Sequence, residues 1–310
     1  MTAAMSPIRI GTRGSPLALI QTRMVIDALR GVREAEPVVI RTTGDTVQDR
    51  RLADIGGKGL FAKEIHDALA QGRIDAAMHS LKDLETDLPP GIVLACVLPR
   101  EDARDALILG ASGSIDPAEP LASLPHGARI GTASVRRQAQ VLHVRPDIVM
   151  TTLRGNVETR LAKLAAGECA ATLLAYAGLK RLGIADRASA ILEPEIMLPA
   201  AGQGIVGITV RERDEGLRMQ MGAIADPAAT VAATAERALL AALDGSCRTP
   251  IGAYAVLMPG RALHLSAMVA RTDGSFLLRR SLQGAAADAA RLGHELAASL
   301  RADSPGDIFG

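Results

Sequence analysis

Short apolar runs alternate with amphipathic runs of helical length along the first two thirds of the chain. The pattern predicts strands at 8–13, 38–42, 74–78, 91–98, 148–153, 171–176 and 205–210, and helices at 16–29, 60–70 and 157–166. Ser15 followed by Pro16 is a typical helix start, because Ser caps free backbone N–H groups and Pro fits the first helical position. Strands that alternate with helices are typical of an α/β fold with a covered, mostly parallel sheet.

A short repeat divides this region into two parts. The tetrapeptide RIGT stands at 9–12 and again at 129–132, and each copy ends a predicted strand and leads through a serine, Ser15 or Ser134, into a helix. The shared strand–turn–helix context argues against a chance match. We infer two similar α/β lobes that face a common cleft, because ligands of such sheets bind beyond the carboxyl ends of the strands.

The last third of the chain has a different pattern. A small-residue linker at 225–229 precedes a helix, three strands separated by turns, and a final helix to about Leu300. This order indicates an α+β domain with a three-stranded antiparallel sheet and helices on one face. The predicted domains are a first lobe of 1–103 and 204–224, a second lobe of 104–203, and a C-terminal α+β domain of 225–310.

Composition excludes several classes of protein. Aromatic residues make up 2% of the chain and the net charge is +1, so neither base stacking nor a strong field attracts nucleic acid or membrane. Three widely spaced cysteines fit neither a disulfide framework nor a zinc site, and the histidines lack metal-binding spacing. No apolar run approaches the ~20 residues of a membrane span, and no leader is evident. We therefore expect a cytoplasmic protein without metal, an organelle after loss of a leader being the alternative.

Arginines gather where the second lobe is predicted to bind ligands. Ser134 caps a helix that carries Arg136 and Arg137 in its first turn, where cations oppose the helix dipole unless an anion is bound. Arg154, Arg160 and Arg181 follow the next two strand ends, and Asn156 is predicted to cap the helix at 157–166. The guanidinium group suits carboxylate or phosphate, so the pattern indicates a polyanionic ligand. Solvated surface arginines are the alternative for the pair at the helix start.

Two further residues have reactive groups. Cys247 lies in a predicted loop beside Arg248, and a cationic neighbour favours the thiolate; a buried, inert cysteine is equally compatible. Asp83 ends a buried strand, where a carboxylate could transfer protons or stabilise a cation, or could merely cap a helix or sit in a surface turn. The long polar segment 43–59 is expected to be a mobile loop that covers the cleft.

Seven motifs together carry a resemblance to a known family. They are TRGSPLA at 12–18, GGKGLF at 56–61, HSLKD at 79–83, GTASVRRQ at 131–138, LRGN at 153–156, LPAAGQG at 198–204 and GSCRTPIG at 245–252. In this order they resemble the porphobilinogen deaminase (hydroxymethylbilane synthase) family. The resemblance implies two lobes like those of periplasmic binding proteins, a third domain, and a monomer. It also implies a transferase that joins four porphobilinogen molecules head to tail into hydroxymethylbilane and releases ammonia.

The resemblance also assigns roles to individual residues. It implies a dipyrromethane cofactor on Cys247, with Asp83 as the catalytic acid and base. Cofactor carboxylates would be bound by Lys82, Ser134, Arg136 and Arg137. Substrate or growing-chain carboxylates would be bound by Arg13, Ser15, Gln21, Lys58, Arg154, Asn156, Arg160 and Arg181. Two positions depart from the family pattern, with Asp54 where relatives often have Lys and Thr209 where many have Glu.

Two alternative functions remain at this stage. A two-lobed protein could bind anions without chemistry, although a third domain that carries Cys247 argues against it. A hydrolase with a cysteine nucleophile would need a base near Cys247, and only a residue such as His264 is at hand, with no supporting motif.

Overall fold

The structure is a computed structural model that describes residues 6–43, 62–111, 114–244 and 249–309. Its strands are β1 Ile8–Thr12, β2 Ala35–Val39, β3 Ala76–Ser80, β4 Ile92–Val97, β5 Asp105–Leu109, β6 Arg129–Gly131, β7 Val149–Thr151, β8 Ala171–Ala175, β9 Ala190–Leu192, β10 Val206–Arg211, β11 Ile251–Leu257, β12 Ala262–Ala270 and β13 Leu277–Ala285. Its α-helices are α1 Pro16–Ala28, α2 Lys63–Ala70, α3 Val135–Val144, α4 Val157–Ala165, α5 Tyr176–Arg181, α6 Glu215–Gly222, α7 Pro227–Ala242 and α8 Ala289–Ala302. The predicted loop 43–59 lies almost wholly outside the described residues.

The described chain divides into two compact units. The first contains 6–43, 62–101 and 205–230, and the second contains 102–204 and 231–309 with the gaps already given. The first unit has one five-stranded sheet, whereas the second has a five-stranded and a three-stranded sheet. The division into three domains remains a prediction, although each of the three predicted domains contains one sheet.

The two five-stranded sheets have the same topology. Their strand orders are β2-β1-β3-β10-β4 and β7-β6-β8-β5-β9. In each sheet the first three strands are parallel, and the fourth is antiparallel to both of its neighbours. Four of the five strands therefore run in one direction. The RIGT copies occupy equivalent positions, β1 and β6, so the inferred repeat and the mixed, mostly parallel sheets are confirmed.

A glycine in each repeat allows close packing against the sheet. A Cβ atom at Gly11 would lie 2.3 Å from Cδ1 of Ile74, and one at Gly131 would lie 2.8 Å from Sγ of Cys169. Real Cβ contacts are not this short, so the absent side chain is what lets these neighbours pack over the strand. Apolar residues fill both faces of the first sheet, with Ile10 and Val210 in one cluster and residues such as Ile65 in the other.

The C-terminal part of the second unit is an antiparallel sheet in the order β11-β12-β13. Apolar residues of α7 and α8 pack on it in one cluster that includes Leu239, Leu265 and Leu296. This confirms the predicted α+β arrangement. Among the described residues, no helix is both long and apolar enough to cross a membrane.

Several predicted boundaries were wrong. β2 covers 35–39 instead of 38–42, because it is an edge strand whose extent follows its pairing with β1 and not its apolar run. β3 covers 76–80 instead of 74–78, which places His79 inside the strand. The sequence analysis did not predict β5 or α5. The linker at 225–229 is partly helical, since α7 begins at Pro227.

Candidate active site

A pocket of the first unit opens where β1 and β3 end. These strands are parallel neighbours, so their carboxyl ends meet at one edge of the sheet. The pocket is lined by Arg13, Ser15, Leu17, Ala18, Gln21, Ala62, Ile65, Met78, His79, Ser80 and Asp83. It thus brings together four of the predicted site residues, Arg13, Ser15, Gln21 and Asp83.

Local structure explains how these side chains reach the pocket. Ser15 caps α1, and its Oγ accepts a hydrogen bond from the backbone N–H of Ala18 at 3.3 Å. Gln21, one turn into α1, is buried and its Oε1 accepts a hydrogen bond from Ser80 Oγ at 3.0 Å. After β3 a single 3₁₀ turn, Leu81–Asp83, buries Leu81 and leaves Asp83 exposed.

Lys82 lies in the same turn as Asp83 but is not among the residues that line the pocket. It is half-buried. Its predicted contact with cofactor carboxylates remains a prediction.

A buried hydrogen bond supports the wall of the pocket at His79. The Nε2 atom of His79 lies 3.0 Å from Oγ1 of Thr209, and Thr209 has no exposed surface. Thr209 is one of the two positions where the sequence departs from the family pattern, and in the structure it is the partner of a pocket histidine. The other position, Asp54, lies outside the described residues. Sequence analysis assigned no role to His79, because it is not part of a hydrolytic triad.

In the second unit Arg136 and Arg137 surround a buried carboxylate. Nη2 of Arg136 lies 2.8 Å from Oδ2 of Asp105, while Nε and Nη2 of Arg137 donate to Oδ1 at 3.2 and 2.7 Å. Burial by itself would raise the pKa of Asp105, but the charges of Arg136 and Arg137 outweigh it and hold this pKa well below its usual range. The sequence analysis inferred that an anion is bound at the start of this helix, and the carboxylate of Asp105 is one such anion.

The remaining bonds of the two arginines hold them to the backbone. Nη1 of Arg136 donates to the carbonyl of Leu198 at 2.6 Å, and Nη1 of Arg137 donates to that of Leu173 at 2.8 Å. Ser134 caps α3, with its Oγ accepting from the N–H of Arg137 at 3.4 Å. Sequence analysis missed Asp105, although an acid at the start of the apolar run 106–109 was a usable signal.

The other predicted arginines of this unit are held by backbone carbonyls. Nε of Arg160 donates to the carbonyl of Gly155 at 2.8 Å, and Nη2 of Arg181 donates to that of Gly204 at 2.7 Å. Arg154 is buried. The carboxamide oxygen of Asn156 caps α4 by accepting from the N–H of Thr159 at 2.8 Å, as the sequence predicted.

Two predicted site residues, Lys58 and Cys247, lie outside the described residues. The other two cysteines are buried. Burial raises the pKa of the Cys96 thiol to about 12 and also raises that of Cys169. Because the thiolate is the reactive form, neither is suited to nucleophilic chemistry. Among the described residues, no group of three His, Cys, Asp or Glu side chains could hold a metal ion.

These features define the class of protein before its family is known. It has a repeated α/β scaffold, an acidic group in one pocket, and buried arginines of a kind that suits a ligand with several carboxylates. Comparison with known proteins gives the family. The model described as "Porphobilinogen deaminase, dipyromethane cofactor binding domain" matches residues 8–219, and that described as "Porphobilinogen deaminase, C-terminal domain" matches residues 230–302. The chain belongs to the porphobilinogen deaminase family.

Curated relatives agree over nearly the whole length. A porphobilinogen deaminase of Nitrobacter winogradskyi is 50% identical over 94% of this chain and 92% of its own. That of Paracoccus denitrificans is 46% identical over 100% of this chain and 98% of its own. A solved ancestral arginine-binding protein, bound to arginine, covers 72% of this chain and 92% of its own at 15% identity, with a TM-score of 0.38 that is too low to carry an argument.

Family membership establishes the activity. The chain is an enzyme of tetrapyrrole biosynthesis, a transferase with hydroxymethylbilane synthase activity, and it uses a dipyrromethane cofactor. The two alternatives from sequence analysis, an anion-binding protein without chemistry and a cysteine hydrolase, are thereby excluded.

Proposed function

We propose that the pocket of the first unit is where each porphobilinogen is activated and joined, with Asp83 as the acid and base. The observation that carries this proposal is the make-up of the pocket. Of the described residues that line it, Asp83 alone is acidic, and it lies with Arg13, Ser15 and Gln21. Arg13 and Ser15 bind a carboxylate of the substrate, since a guanidinium and a hydroxyl both donate to carboxylate oxygens.

The reaction needs a negatively charged group such as the Asp83 carboxylate. The amino group leaves from its protonated form: the C–N bond breaks with its electron pair on nitrogen, ammonia departs, and the ring becomes a cationic azafulvene. The Asp83 carboxylate stabilises that cation. A carbon of the next pyrrole then forms the new bond, its C–H bond breaks to restore the ring, and Asp83 accepts the proton and passes it to the departing ammonia.

The arginine cluster of the second unit fits the cofactor in charge. Arg136, Arg137 and Asp105 together carry one net positive charge, so the cluster can take one further carboxylate. When bound, the cofactor supplies the pyrrole carbon that the first porphobilinogen joins. We propose that Cys247 attaches it and that Ser134, Arg136, Arg137 and Lys82 bind its carboxylates. The growing chain is then bound by Lys58, Arg154, Asn156, Arg160 and Arg181.

The test is Asp83→Asn, which keeps the size of the side chain but removes its charge and basicity. Turnover should fall by at least ~10²-fold, the low end for general acid–base catalysis, in protein shown by mass to carry its cofactor. The matched control is Asp87→Asn, an exposed acid of the same segment, which should leave turnover unchanged. A folded, cofactor-loaded Asp83→Asn enzyme with near-normal turnover contradicts the proposal.

Two further proposals concern the oligomeric state and the location of the protein. We propose that the protein is a monomer, as the resemblance implies. We also propose that it is located in the cytoplasm, as expected from the composition of the chain. One curated relative, from Oryza sativa, is named as chloroplastic, so location varies within the family. Gel filtration with light scattering tests the monomer.

A further inference from the structure

Two buried histidines lie side by side behind the pocket of the first unit. His79, on β3, lines the pocket and is 7% exposed, whereas His66, on α2, lies deeper and is 2% exposed. Their ring centroids are 5.2 Å apart, and the ring planes are inclined by 53°. The helix that carries His66 contributes Ile65 to the pocket, and Ala62 just before that helix also lines it, so the pair lies directly behind its wall.

Each ring has a polar neighbour of its own. Oγ1 of Thr209 lies 3.0 Å from Nε2 of His79. The Oε1 atom of Glu85 lies 3.7 Å from Nδ1 of His66, but among the described residues neither ring nitrogen of His66 has a hydrogen-bond partner. A buried polar group without a partner is destabilising, because it has lost its hydrogen bonds to water. Such a group calls for an explanation, and a transient proton is one.

We propose that His79 is a second proton-transfer residue of this pocket, that Thr209 orients its ring, and that His66 with Glu85 adjusts how readily the His79 ring takes up a proton. This inference rests on the proposed function of the pocket. It adds to Asp83 a group that can hold a proton while the carboxylate remains charged.

Proton balance in each round favours two groups. The C–H bond of the attacking pyrrole breaks, its electron pair returns to the ring, and one proton is released. The ammonia that has left with the electron pair of the C–N bond takes up one proton. The proton is released at a ring carbon and taken up at the ammonia nitrogen. The cationic azafulvene that forms in each round is stabilised only while Asp83 is ionised. Imidazole is the side chain whose ordinary pKa lies nearest neutral pH, so His79 can hold the proton meanwhile.

The charges around the pair limit the cost of one added proton. Arg13 and Asp83 line the same pocket as His79. Glu85, in the segment after β3, lies beside His66, and Asp67 follows His66 on α2. Burial lowers the pKa of His66, while Glu85 and Asp67 act in the opposite direction. Burial thus favours the neutral form of His66, and the two rings together with the Glu85 carboxylate form a group of three. A single added proton makes this group of three neutral overall, which limits its cost.

Kinetics test the proposal first. His79→Gln should lower kcat by about 10²-fold, as loss of a general acid or base does, with KM within about twofold, and should abolish the acidic limb of the pH–kcat profile. His66→Gln should keep that limb but move it by about one pH unit, because the coupling between the rings is lost. His126→Gln, an exposed histidine of the second unit, is the control and should change neither quantity.

An NMR titration tests the proposal without a measurement of enzyme activity. In ¹⁵N-histidine-labelled enzyme, His79 and His66 should titrate as a coupled pair, and Thr209→Val should change the tautomer of His79. If His79→Gln does not fold, independent titration of the two rings in native enzyme overturns the proposal. Wild-type kcat and pH profile in His79→Gln, with an inactive Asp83→Asn, also overturn it but leave the proposed function intact. An active Asp83→Asn overturns both.

Discussion

The carboxylate of Asp105, which has no exposed surface, accepts two hydrogen bonds from the guanidinium of Arg137, at 3.2 and 2.7 Å. The second oxygen of Asp105 lies 2.8 Å from Nη2 of Arg136. The amide of Gln203 also donates to Asp105, at 2.9 Å. One buried acid therefore organises both arginines at the start of α3.

Replacement of this acid should destabilise the second unit. Asp105→Asn leaves two buried guanidinium groups without their counter-charge, and removal of one partner from a buried ion pair costs about 3–5 kcal/mol. Urea unfolding should show this loss in the free energy of unfolding. Asp186→Asn, an exposed acid of the same unit, should stay within about 0.5 kcal/mol of wild type. An equally small effect at Asp105 would mean that the arginines do not depend on it.

The same pair predicts how stability depends on pH. Burial by itself would raise the pKa of Asp105, but this pKa is held below its usual range because the charges of Arg136 and Arg137 outweigh that effect. A lowered carboxyl pKa contributes stability that is fully present above the unfolded value, about 3.9, and is lost as pH falls below it. Wild type should therefore lose more unfolding free energy between about pH 5 and pH 2 than Asp105→Asn does. Parallel curves for the two proteins would contradict the assignment.

Loss of Arg136 should prevent assembly of the cofactor. Arg136→Leu removes a charge from the cluster, which then carries no net charge to attract a carboxylate. Intact mass should show protein without the two-ring adduct, while Arg136→Lys should recover part of it. Arg187→Leu, an exposed arginine of the same unit, should load normally. Fully loaded but slow Arg136→Leu enzyme would show that this arginine acts only later, on substrate.

The cofactor should be attached to Cys247 and to neither of the other cysteines. Mass spectrometry of protein from a host that makes porphobilinogen should show a two-ring adduct that disappears in Cys247→Ala. Cys96→Ala and Cys169→Ala are matched controls, because both thiols are buried with a raised pKa and should leave the adduct in place. Unmodified wild-type protein would refute the attachment.

The repeat glycine of the second lobe should not tolerate a side chain. Gly131→Ala places a methyl group 2.8 Å from Sγ of Cys169 and 3.0 Å from Leu153, and overpacking of this kind costs about 1–3 kcal/mol. Cys169→Ala removes the nearest atom, so the double variant should be less destabilised than the sum of the single ones. Additive effects in thermal unfolding would place the strain at Leu153 instead.

Local chemistry explains the features that were predicted from the sequence. Ser15, Ser134 and Asn156 cap helices as predicted, because a cap needs only its own side chain and the next few backbone groups. The RIGT repeat identified β1 and β6 as equivalent strands, and the alternating pattern predicted the α/β class. These signals depend on residues close together in the chain.

Tertiary structure alone decided which distant groups meet. Asp105 precedes its arginine partners by about thirty positions. His79 and Thr209 meet because β3 and β10 are neighbouring strands, and His66 reaches His79 from α2. The extent of β2 likewise follows from its partner strand and not from its own residues. Charge compensation and strand pairing are interactions between groups far apart in sequence, so a one-dimensional pattern does not contain them. The resemblance pointed to the arginines, whereas the fold supplied their buried counter-ion.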